Sequence, residues 1–304
     1  MSGAAAVEIR PARAWLLASR PATLPAAAVP VFVGAGAAVS EGVTLRPLVL
    51  AVTLVCALLI QIGTNFANDY SDFHRGADHE GRLGPVRVTQ SGLITQAGVR
   101  RGIVVAFGAA ALLGLWLAWI GGWPIIVIGV LSIISGLAYT GGPFPFGYFG
   151  LGDLFVFVFF GLIAVTGTAF LQMGTWSQLA LTLSVPVGLL VTNILVVNNL
   201  RDLPTDCAAN KLTLAVRLGD RATRIQYALF VAISYAVPLA LAIANSSHWW
   251  LMLTWLTLPL ALGLTRTVLG GLAGRDLNPV LKRTGQLLLF FGLLLAAGAV
   301  IGRS

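Results

Sequence analysis

Residues 179–199 read LALTLSVPVGLLVTNILVVNN, a run without a single charged side chain. A transmembrane α-helix needs about 20 consecutive, mostly apolar residues, so this run predicts a helix that crosses a lipid bilayer. The rest of the chain is similar, since 57% of its 304 residues are hydrophobic and only 10% are charged. Soluble domains carry about 25% charged residues. The composition excludes a water-soluble globule, a disordered chain and a nucleic-acid-binding protein, and it predicts a polytopic membrane protein.

Eight further segments resemble this run in length and in apolar character. Together the nine candidate spans cover approximately residues 24–39, 47–66, 103–121, 124–139, 153–172, 179–199, 227–244, 249–269 and 285–301. The third and fourth are separated only by the Gly-Gly-Trp-Pro sequence at 121–124, which predicts a tight helical hairpin because Pro favours the first turn of a helix. We therefore expect an all-α helical bundle that forms a single transmembrane domain over residues 1–304.

The basic residues predict how this bundle is oriented. All of the 19 Lys and Arg residues except Arg46 and Arg303 lie on the side that holds the N-terminus. Lys and Arg concentrate in short loops on the cytoplasmic side of a membrane. We therefore expect a cytoplasmic N-terminus and an outer C-terminus. The net charge of +8 follows from this orientation and requires no nucleic-acid partner.

Two long polar stretches, at about residues 67–102 and 200–226, form the predicted cytoplasmic loops and hold seven of the eleven acidic residues. Near the first, Asn65, Asn68 and Asp72 are spaced by three and four residues, so they share one face of a helix. Asp69 is rotated by about 100° from Asn68 around the helix axis. Its side chain is therefore either a metal ligand or a group that supports the ligands.

The second stretch repeats this arrangement. Asn198, Asp202 and Asp206 are spaced by four residues, which again predicts one helical face. If Pro204 ends the helix, Asp206 lies on a turn, and in either case it stays close to Asp202.

Acidic side chains at such positions call for a counter-charge. A carboxylate at bilayer depth costs roughly 2.5–3.5 kcal/mol, and facing carboxylates must either be protonated or bind a cation. Asp and Asn oxygens without nearby His or Cys favour Mg²⁺, which typically takes one or two carboxylates and completes its shell with water and phosphate. Two such faces suit a diphosphate bridged by about two Mg²⁺ ions. Arg75, Arg201 and Lys211 are candidates for binding the phosphate oxygens.

Two alternatives stay open on these residues alone. Asp and Asn at helix ends can be caps, and Arg–Asp neighbours can be surface ion pairs. The acids could also form the cation site of a transporter, although such sites lie near the bilayer midplane rather than at one edge.

Five segments resemble the UbiA superfamily of intramembrane aromatic prenyltransferases, and more closely its 1,4-dihydroxy-2-naphthoate polyprenyltransferase branch. They are RPATLPAAAVPVFVG (20–34), NDYSDFHRGAD (68–78), RLGPVRVTQSGLIT (82–95), YTGGPFPFGYFGLGD (139–153) and NNLRDLPTDCAANKLTLAVRLG (198–219). The resemblance covers most of the chain from about residue 15 to 220. It implies about nine helices around a central cavity, with Mg²⁺ as the cofactor.

The resemblance also implies a role for individual residues. Asn68, Asp69, Asp72, Asp202 and Asp206 would hold the metal. Arg75, Arg201 and Lys211 would bind the diphosphate. Asn65, Asp78, Tyr139, Asn198 and Asn199 would line the cavity or face the aromatic substrate. Asp72, Asp202, Arg201 and Lys211 would form the catalytic set.

The implied reaction transfers a polyprenyl group from polyprenyl diphosphate to 1,4-dihydroxy-2-naphthoate. Diphosphate and CO₂ leave, and the product is a demethylmenaquinone of the menaquinone pathway. Another aromatic acceptor, such as 4-hydroxybenzoate, is the alternative within the superfamily. The chain departs from many relatives in the uncharged run GGPFPFGY (141–148), which lacks a basic residue, and in the CAANK run (207–211) after Asp206.

Overall fold

The computed structural model describes residues 10–76, 83–84 and 87–303, and these residues form helices and connecting turns without any β strand. The helices are α1 (Pro11–Ser19), α2 (Pro25–Ser40), α3 (Pro47–His74), α4 (Gln96–Gly121), α5 (Trp123–Ala138), α6 (Gly152–Val156), α7 (Ala164–Met173), α8 (Gln178–Ala208), α9 (Leu214–Leu218), α10 (Asp220–Ala244), α11 (Leu258–Leu269) and α12 (Leu277–Ile301). A π-helical segment, Phe157–Ile163, joins α6 to α7, and a 3₁₀ segment, Ser246–Thr257, leads into α11.

The predicted all-α membrane bundle is confirmed, and each predicted span falls on a helical segment. Seven of these segments are long and apolar enough by themselves to cross a bilayer in the described part of the chain. The first predicted span, 24–39, is α2, which forms the second half of a helix pair, Pro11–Thr23 and Pro25–Ser40, bent by 52°. The fourth is α5, which has only 16 residues. The count of nine is therefore approximate, because two of the nine segments are bent or short.

The predicted hairpin between the third and fourth spans is also confirmed. Helix α4 ends at Gly121, Gly122 adopts a φ of +74°, and α5 begins at Trp123 with Pro124 in its first turn. A positive φ suits glycine because it has no Cβ, which lets the chain reverse in a single residue.

Both acidic motifs lie on helices, as the spacing of their residues predicted. The two polar loops begin later than predicted, because α3 continues to His74 and α8 continues through Pro204 to Ala208. Asp206 is consequently helical and not on a turn. A proline removes only one hydrogen bond from the helix, and packing against neighbouring helices can offset that loss. Polarity therefore marks where these helices meet the site, not where they end.

Helix α8 is the central helix of the bundle. In its most apolar stretch 78% of the residues are buried, compared with 17% for α3. Its residues form one hydrophobic core with α2, α10 and α12. The π-helical segment approaches α8 so closely at Gly161 that an added Cβ would lie 2.6 Å from the Cα atom of Gly188. The second acidic motif thus sits on the most enclosed of these helices, and the first sits on a less buried one.

Candidate active site

Both acidic motifs occupy the C-terminal turns of their helices, at the same end of the bundle. On α3, the side-chain amide of Asn65 donates to the carbonyl of Ser19 at 2.9 Å and to the hydroxyl of Thr23 at 3.3 Å. Asn65 therefore fastens the bend between α1 and α2 to the acidic end of α3. Asn68, one turn further on, accepts a hydrogen bond of 2.9 Å from the Thr140 hydroxyl.

Asp69 is buried beneath the short segment of residues 87–89. Its two carboxylate oxygens accept hydrogen bonds from the backbone N–H groups of Val88 at 3.1 Å and Thr89 at 3.0 Å. Only 2% of Asp69 is exposed. Asp69 thus anchors residues 88–89 to α3, which corresponds to the supporting role that its rotation on the helix predicted. Its role as a metal ligand stays a prediction.

Asp72 is equally buried and has partners on both oxygens. The Arg87 guanidinium lies 2.8 Å from Oδ2, and the Tyr148 hydroxyl donates to Oδ1 at 3.0 Å. Arg87 is itself only 5% exposed. A buried arginine needs an anionic partner because its charge cannot be lost by deprotonation. Asp72 supplies that partner.

Tyr148 connects the α3 end with the α8 end. Beside its hydrogen bond to Asp72, its ring lies 5.5 Å from the Arg75 guanidinium carbon and 5.4 Å from Lys211 Nζ. Lys211 in turn lies 3.4 Å from Asp206 Oδ1. Asp72, Tyr148, Lys211 and Asp206 therefore form a continuous chain of contacts from one acidic helix end to the other.

The α8 end is organised around Arg201, which is 1% exposed. Its guanidinium donates to both oxygens of Asp202, at 2.8 and 2.6 Å, and to Asn198 Oδ1 at 2.8 Å. A further bond of 2.9 Å reaches Asn278 Oδ1 near the start of α12. Arg201 thus holds α8 and α12 together, and its predicted role in binding diphosphate stays a prediction.

The segment Leu83–Gly84 packs on this arginine. Asn278 donates to the Leu83 carbonyl at 3.0 Å, and an added Cβ on Gly84 would lie 2.6 Å from Arg201 Nη2. Only glycine leaves room for the guanidinium here. The LGPVRVTQSG run (83–92) therefore contacts the α8 end through residues 83–84 and the α3 end through residues 87–89.

Arg75 has two backbone partners. Its guanidinium donates to the carbonyl of Thr140 at 3.0 Å and to that of Gly142. Arg75 is otherwise exposed, so it lies at the rim of the site and fixes the turn after α5.

The carboxylate and amide oxygens at the ends of α3 and α8 suit a Mg²⁺ ion that also binds a phosphorylated ligand. Asp206 Oδ2 is buried and has no hydrogen-bond partner, which leaves one carboxylate oxygen available at the centre of the site. Within residues 10–76, 83–84 and 87–303, no three His, Cys, Asp or Glu side chains stand close enough to hold a metal by themselves. Mg²⁺ commonly binds through one or two carboxylates together with substrate phosphates.

An apolar cavity lies behind the polar site. It is enclosed by α2, α3, α5 and the π-helical segment, and Tyr139 forms part of its wall beside Phe155, Phe159 and Thr64. The Tyr139 hydroxyl is close to Gly152, where an added Cβ would come within 2.9 Å. Tyr139 thus forms part of the cavity wall, and its position near an aromatic substrate stays a prediction.

The other predicted residues are distributed as follows. Asn198 contacts Arg201, and Asn199 is buried on the same turn. Asp78 lies outside the described residues.

Sequence reasoning missed Arg87, Tyr148, Gly84 and Asn278 as site residues. The signal for Arg87 and Gly84 was present in the GPVRVTQSG run, whereas nothing in the spacing of Tyr148 or Asn278 indicated that they would reach the acids.

Comparison with known proteins agrees with this architecture. The model of the UbiA prenyltransferase family matches residues 27–276. The chain is 40% identical over 291 residues to a 1,4-dihydroxy-2-naphthoate octaprenyltransferase of Mycobacterium tuberculosis, an alignment that covers 95% of this chain and 97% of that protein. It is 37% identical over 305 residues to a protein of the same name from Escherichia coli, which covers 97% and 98% of the two chains.

Solved structures share the fold at much lower identity. A UbiA homolog from Archaeoglobus fulgidus bound to GPP and Mg²⁺ superposes with a TM-score of 0.63 at 12% identity, covering 93% of this chain and 99% of that one. The apo structure of a UbiA homolog from Aeropyrum pernix K1 gives a TM-score of 0.64 at 16% identity, covering 95% and 98%. With its family model, its relatives and its helical bundle in agreement, this chain belongs to the UbiA prenyltransferase family.

Proposed function

We propose that this protein transfers a polyprenyl group from polyprenyl diphosphate to 1,4-dihydroxy-2-naphthoate in menaquinone synthesis. Diphosphate and CO₂ are released and demethylmenaquinone is formed. The observation that carries the proposal is the near full-length similarity to relatives that bear this activity in their names, at up to 40% identity. The continuous contacts from Asp72 through Tyr148 to Lys211 and Asp206 support it, because they bring two acidic helix ends to one place.

The chemistry requires a place for a departing diphosphate. The C–O bond of the allylic diphosphate breaks, and its electron pair leaves with the phosphate oxygen. Mg²⁺, when bound, neutralises the charge that builds up on this leaving group. Lys211 and Arg75 add positive charge beside Tyr148. Asn68, Asp72, Asp202 and Asp206 are the residues that we assign to holding the metal.

Carbon–carbon bond formation completes the reaction. The ring carbon of the naphthoate that carries the carboxylate attacks the allylic cation. The bond to the carboxylate then breaks, and its electrons restore the aromatic ring as CO₂ departs. A cavity lined by Tyr139, Phe155 and Phe159 suits this step, since aromatic faces stabilise a neighbouring cation and exclude water.

The apolar cavity and the bilayer suit the prenyl chain. Each buried CH₂ group of a lipid chain contributes about 0.8 kcal/mol, so the polyprenyl tail stays in an apolar environment while the diphosphate reaches the polar end of the bundle. An enzyme for such a substrate must carry its charged groups at one membrane edge, which is where α3 and α8 end.

The decisive experiment incubates purified full-length protein with 1,4-dihydroxy-2-naphthoate and a polyprenyl diphosphate, and identifies the product by mass spectrometry. We expect the decarboxylated, prenylated naphthoquinol in the presence of Mg²⁺, loss of product on addition of EDTA, and recovery on adding back Mg²⁺. A parallel reaction with 4-hydroxybenzoate should give no product. Prenylation of 4-hydroxybenzoate alone would overturn the assignment of the acceptor.

The protein is an integral membrane protein, and we infer that its acidic end faces the cytoplasm. The inference rests on the distribution of Lys and Arg. In a background where Cys56 and Cys207 are replaced by alanine, Ser91→Cys should be shielded from a membrane-impermeant thiol reagent in intact cells, and Ser246→Cys should be labelled. The reverse labelling pattern would overturn the orientation.

A further inference from the structure

We propose that the groove between α11 and the start of α12 binds an anionic glycerophospholipid of the surrounding bilayer. The groove has a volume of about 620 Å³, and sites for small molecules in proteins commonly have volumes of ~300–1,000 Å³. It shares no lining residue with the apolar cavity of the candidate active site. The proposal is independent of the proposed reaction, because it involves neither the diphosphate nor the aromatic acceptor.

The groove opens on the outer surface of the bundle. Its floor is formed by Leu264 and Val280, which are each 4% exposed, while Gly263, Thr267 and Pro279 on its rim are exposed. Both helices belong to segments that are long and apolar enough to cross a bilayer. The groove therefore faces the lipid, and lipid molecules are the compounds that can reach its apolar part.

The position of Arg283 along α12 places the groove at the membrane edge. Residues 284–301 contain no charged side chain. Because an α-helix rises 1.5 Å per residue, this stretch spans about 27 Å, close to the ~30 Å of a bilayer's hydrocarbon core. Arg283 directly precedes the stretch, so it lies at the level of the lipid phosphates. The groove is at the polar end of the bundle, since Asn278 beside it contacts Arg201.

The charged residues of the groove favour an anion. The side chain of Arg283 is exposed, and it makes no hydrogen bond or ion pair with any residue that the structure describes. Arg275 and Asp276 are the other charged lining residues, so the groove carries one more positive than negative charge. Basic side chains at a membrane edge extend toward the headgroups, and each attracts anionic lipid. Phosphatidylcholine has the same phosphate but also a positive choline group, so the groove should prefer phosphatidylglycerol.

The apolar part of the groove suits an acyl chain. From Thr267 to Leu260 its wall follows about two turns of α11, a distance of roughly 10 Å. Gly263 lies in the middle of this wall, and an added Cβ there would meet nothing within 4 Å. The first methylene groups of a lipid chain can therefore lie beside Gly263 while the phosphate contacts Arg283. A soluble phosphate compound has no such chain and would make only part of this contact.

Native mass spectrometry of the full-length protein in detergent tests the proposal. The protein is titrated with phosphatidylglycerol, with phosphatidylcholine of the same acyl chains, and with glycerol 3-phosphate. We expect phosphatidylglycerol to bind at least about fivefold more tightly than phosphatidylcholine, the factor that corresponds to one basic residue at a lipid surface. Glycerol 3-phosphate should not displace the bound lipid. Equal affinity for the two lipids, or displacement by glycerol 3-phosphate, would overturn the proposal.

Two variants separate the charge from the space. Arg283→Gln removes the charge, and Gly263→Leu fills the groove without meeting other protein atoms at its Cβ. The first should weaken phosphatidylglycerol binding by at least about fivefold and leave phosphatidylcholine binding nearly unchanged, whereas the second should weaken binding of both lipids. Arg266→Gln, an exposed arginine of α11 outside the groove, and Gly108→Leu, an open glycine of α4, are the matched controls and should change neither affinity.

The variants can also contradict the proposal. Unchanged phosphatidylglycerol affinity in Arg283→Gln would mean that the phosphate binds elsewhere, and unchanged affinity in Gly263→Leu would mean that no chain enters the groove. An equal loss in Arg266→Gln would mean that surface charge in general, rather than this groove, attracts the lipid. If Gly263→Leu does not fold, Arg283→Gln still decides, because the side chain that it replaces is exposed and makes no contact of these kinds in the described part of the chain.

Discussion

The two acidic helix ends reach the same site by different means. At the end of α3, Asp69 and Asp72 bind groups from outside their own helix, namely the backbone of residues 88–89, Arg87 and Tyr148. At the end of α8, Asp202 binds the arginine next to it in sequence, and the arginine is held by residues of α8 and α12. The α3 end depends on distant segments, whereas the α8 end is assembled largely from neighbouring residues.

This difference follows from where the two helices lie. Helix α8 is the central helix, so its buried polar side chains must form hydrogen bonds with one another rather than with water. Helix α3 is less buried along its length, and residues 87–89 fold over its acidic end. The α8 end should therefore be the more sensitive of the two to a loss of charge balance.

Neutralising one acid at each end gives the largest expected effect and separates the two ends. Asp72→Asn and Asp202→Asn should each lower prenyl transfer by at least about 100-fold, because each removes a negative charge assigned to the metal site. Both variants should also lower the free energy of unfolding, because each leaves a buried arginine, Arg87 or Arg201, beside a neutral side chain. The loss should be larger for Asp202→Asn, about 3–5 kcal/mol, because this change breaks a contact of Arg201 with two carboxylate oxygens.

Product formation and thermal unfolding in detergent, measured on the same preparations, test this contrast. Retained turnover in either variant would contradict the assignment of that acid to the metal. Equal destabilisation of both variants would contradict the distinction between the two ends.

Removing the link between α8 and α12 should have the next largest effect. In Asn278→Ala, Arg201 loses one acceptor and the Leu83 carbonyl loses its donor, so we expect a loss of about 1–3 kcal/mol in unfolding free energy. Asn245→Ala, at the opposite end of the bundle, removes only an exposed cap and is the control. Unfolding followed by tryptophan fluorescence compares the two, and equal stability of both variants would argue against a structural role for the Arg201 network.

Filling the space at Gly84 should give a somewhat smaller effect. Gly84→Ala places a methyl group 2.6 Å from Arg201 Nη2, so either the segment or the guanidinium must shift, at a cost of about 1–3 kcal/mol. Gly108→Ala is the control, because an added Cβ there meets nothing within 4 Å. Activity and thermal stability should both fall for the first variant only. A fully active Gly84→Ala protein would mean that this close approach is unnecessary.

The smallest effect is expected at the bridge between the two ends. Tyr148→Phe removes the hydrogen bond to Asp72 but keeps the ring that faces Arg75 and Lys211. We expect a decrease in kcat/KM of about tenfold or less, corresponding to one hydrogen bond to a charged group. Tyr148→Ala, which removes the ring as well, should be clearly worse, and equal rates for the two variants would locate the role of Tyr148 in its hydroxyl alone.

Much of the fold was predictable because membrane helices are encoded locally. Length and hydropathy locate each span without knowledge of its neighbours, and the Gly122 turn follows from one dipeptide and a proline. The ends of α3 and α8 could not be predicted in this way. Whether a helix continues past its apolar part depends on partners such as Thr140 and Asn278, which are far away in the sequence.

The candidate site was predictable in part for the same reason. Residues on one helical face, such as Asn68 and Asp72, are found from their spacing. The bonds between Arg87 and Asp72 and between Tyr148 and Asp72 connect positions 15 and 76 residues apart, and no local pattern specifies them. Sequence spacing therefore identifies the acids, and only the assembled bundle identifies what they bind.

The π-helical segment Phe157–Ile163 has a consequence for how the enzyme's interior could change during evolution. A π-helical turn holds one residue more than an α-helical turn, because its hydrogen bonds run from residue i to i+5 instead of i+4. Deleting a single residue here would close the π turn to an α turn, and the helix before it would keep its orientation relative to the helix after it. Phe155 and Ala164 would then both remain in the cavity wall. The same deletion within a regular α-helix would rotate one side of the helix by about 100° relative to the other. The π-helical segment is thus the place where this helix can lose a residue while the cavity keeps its shape.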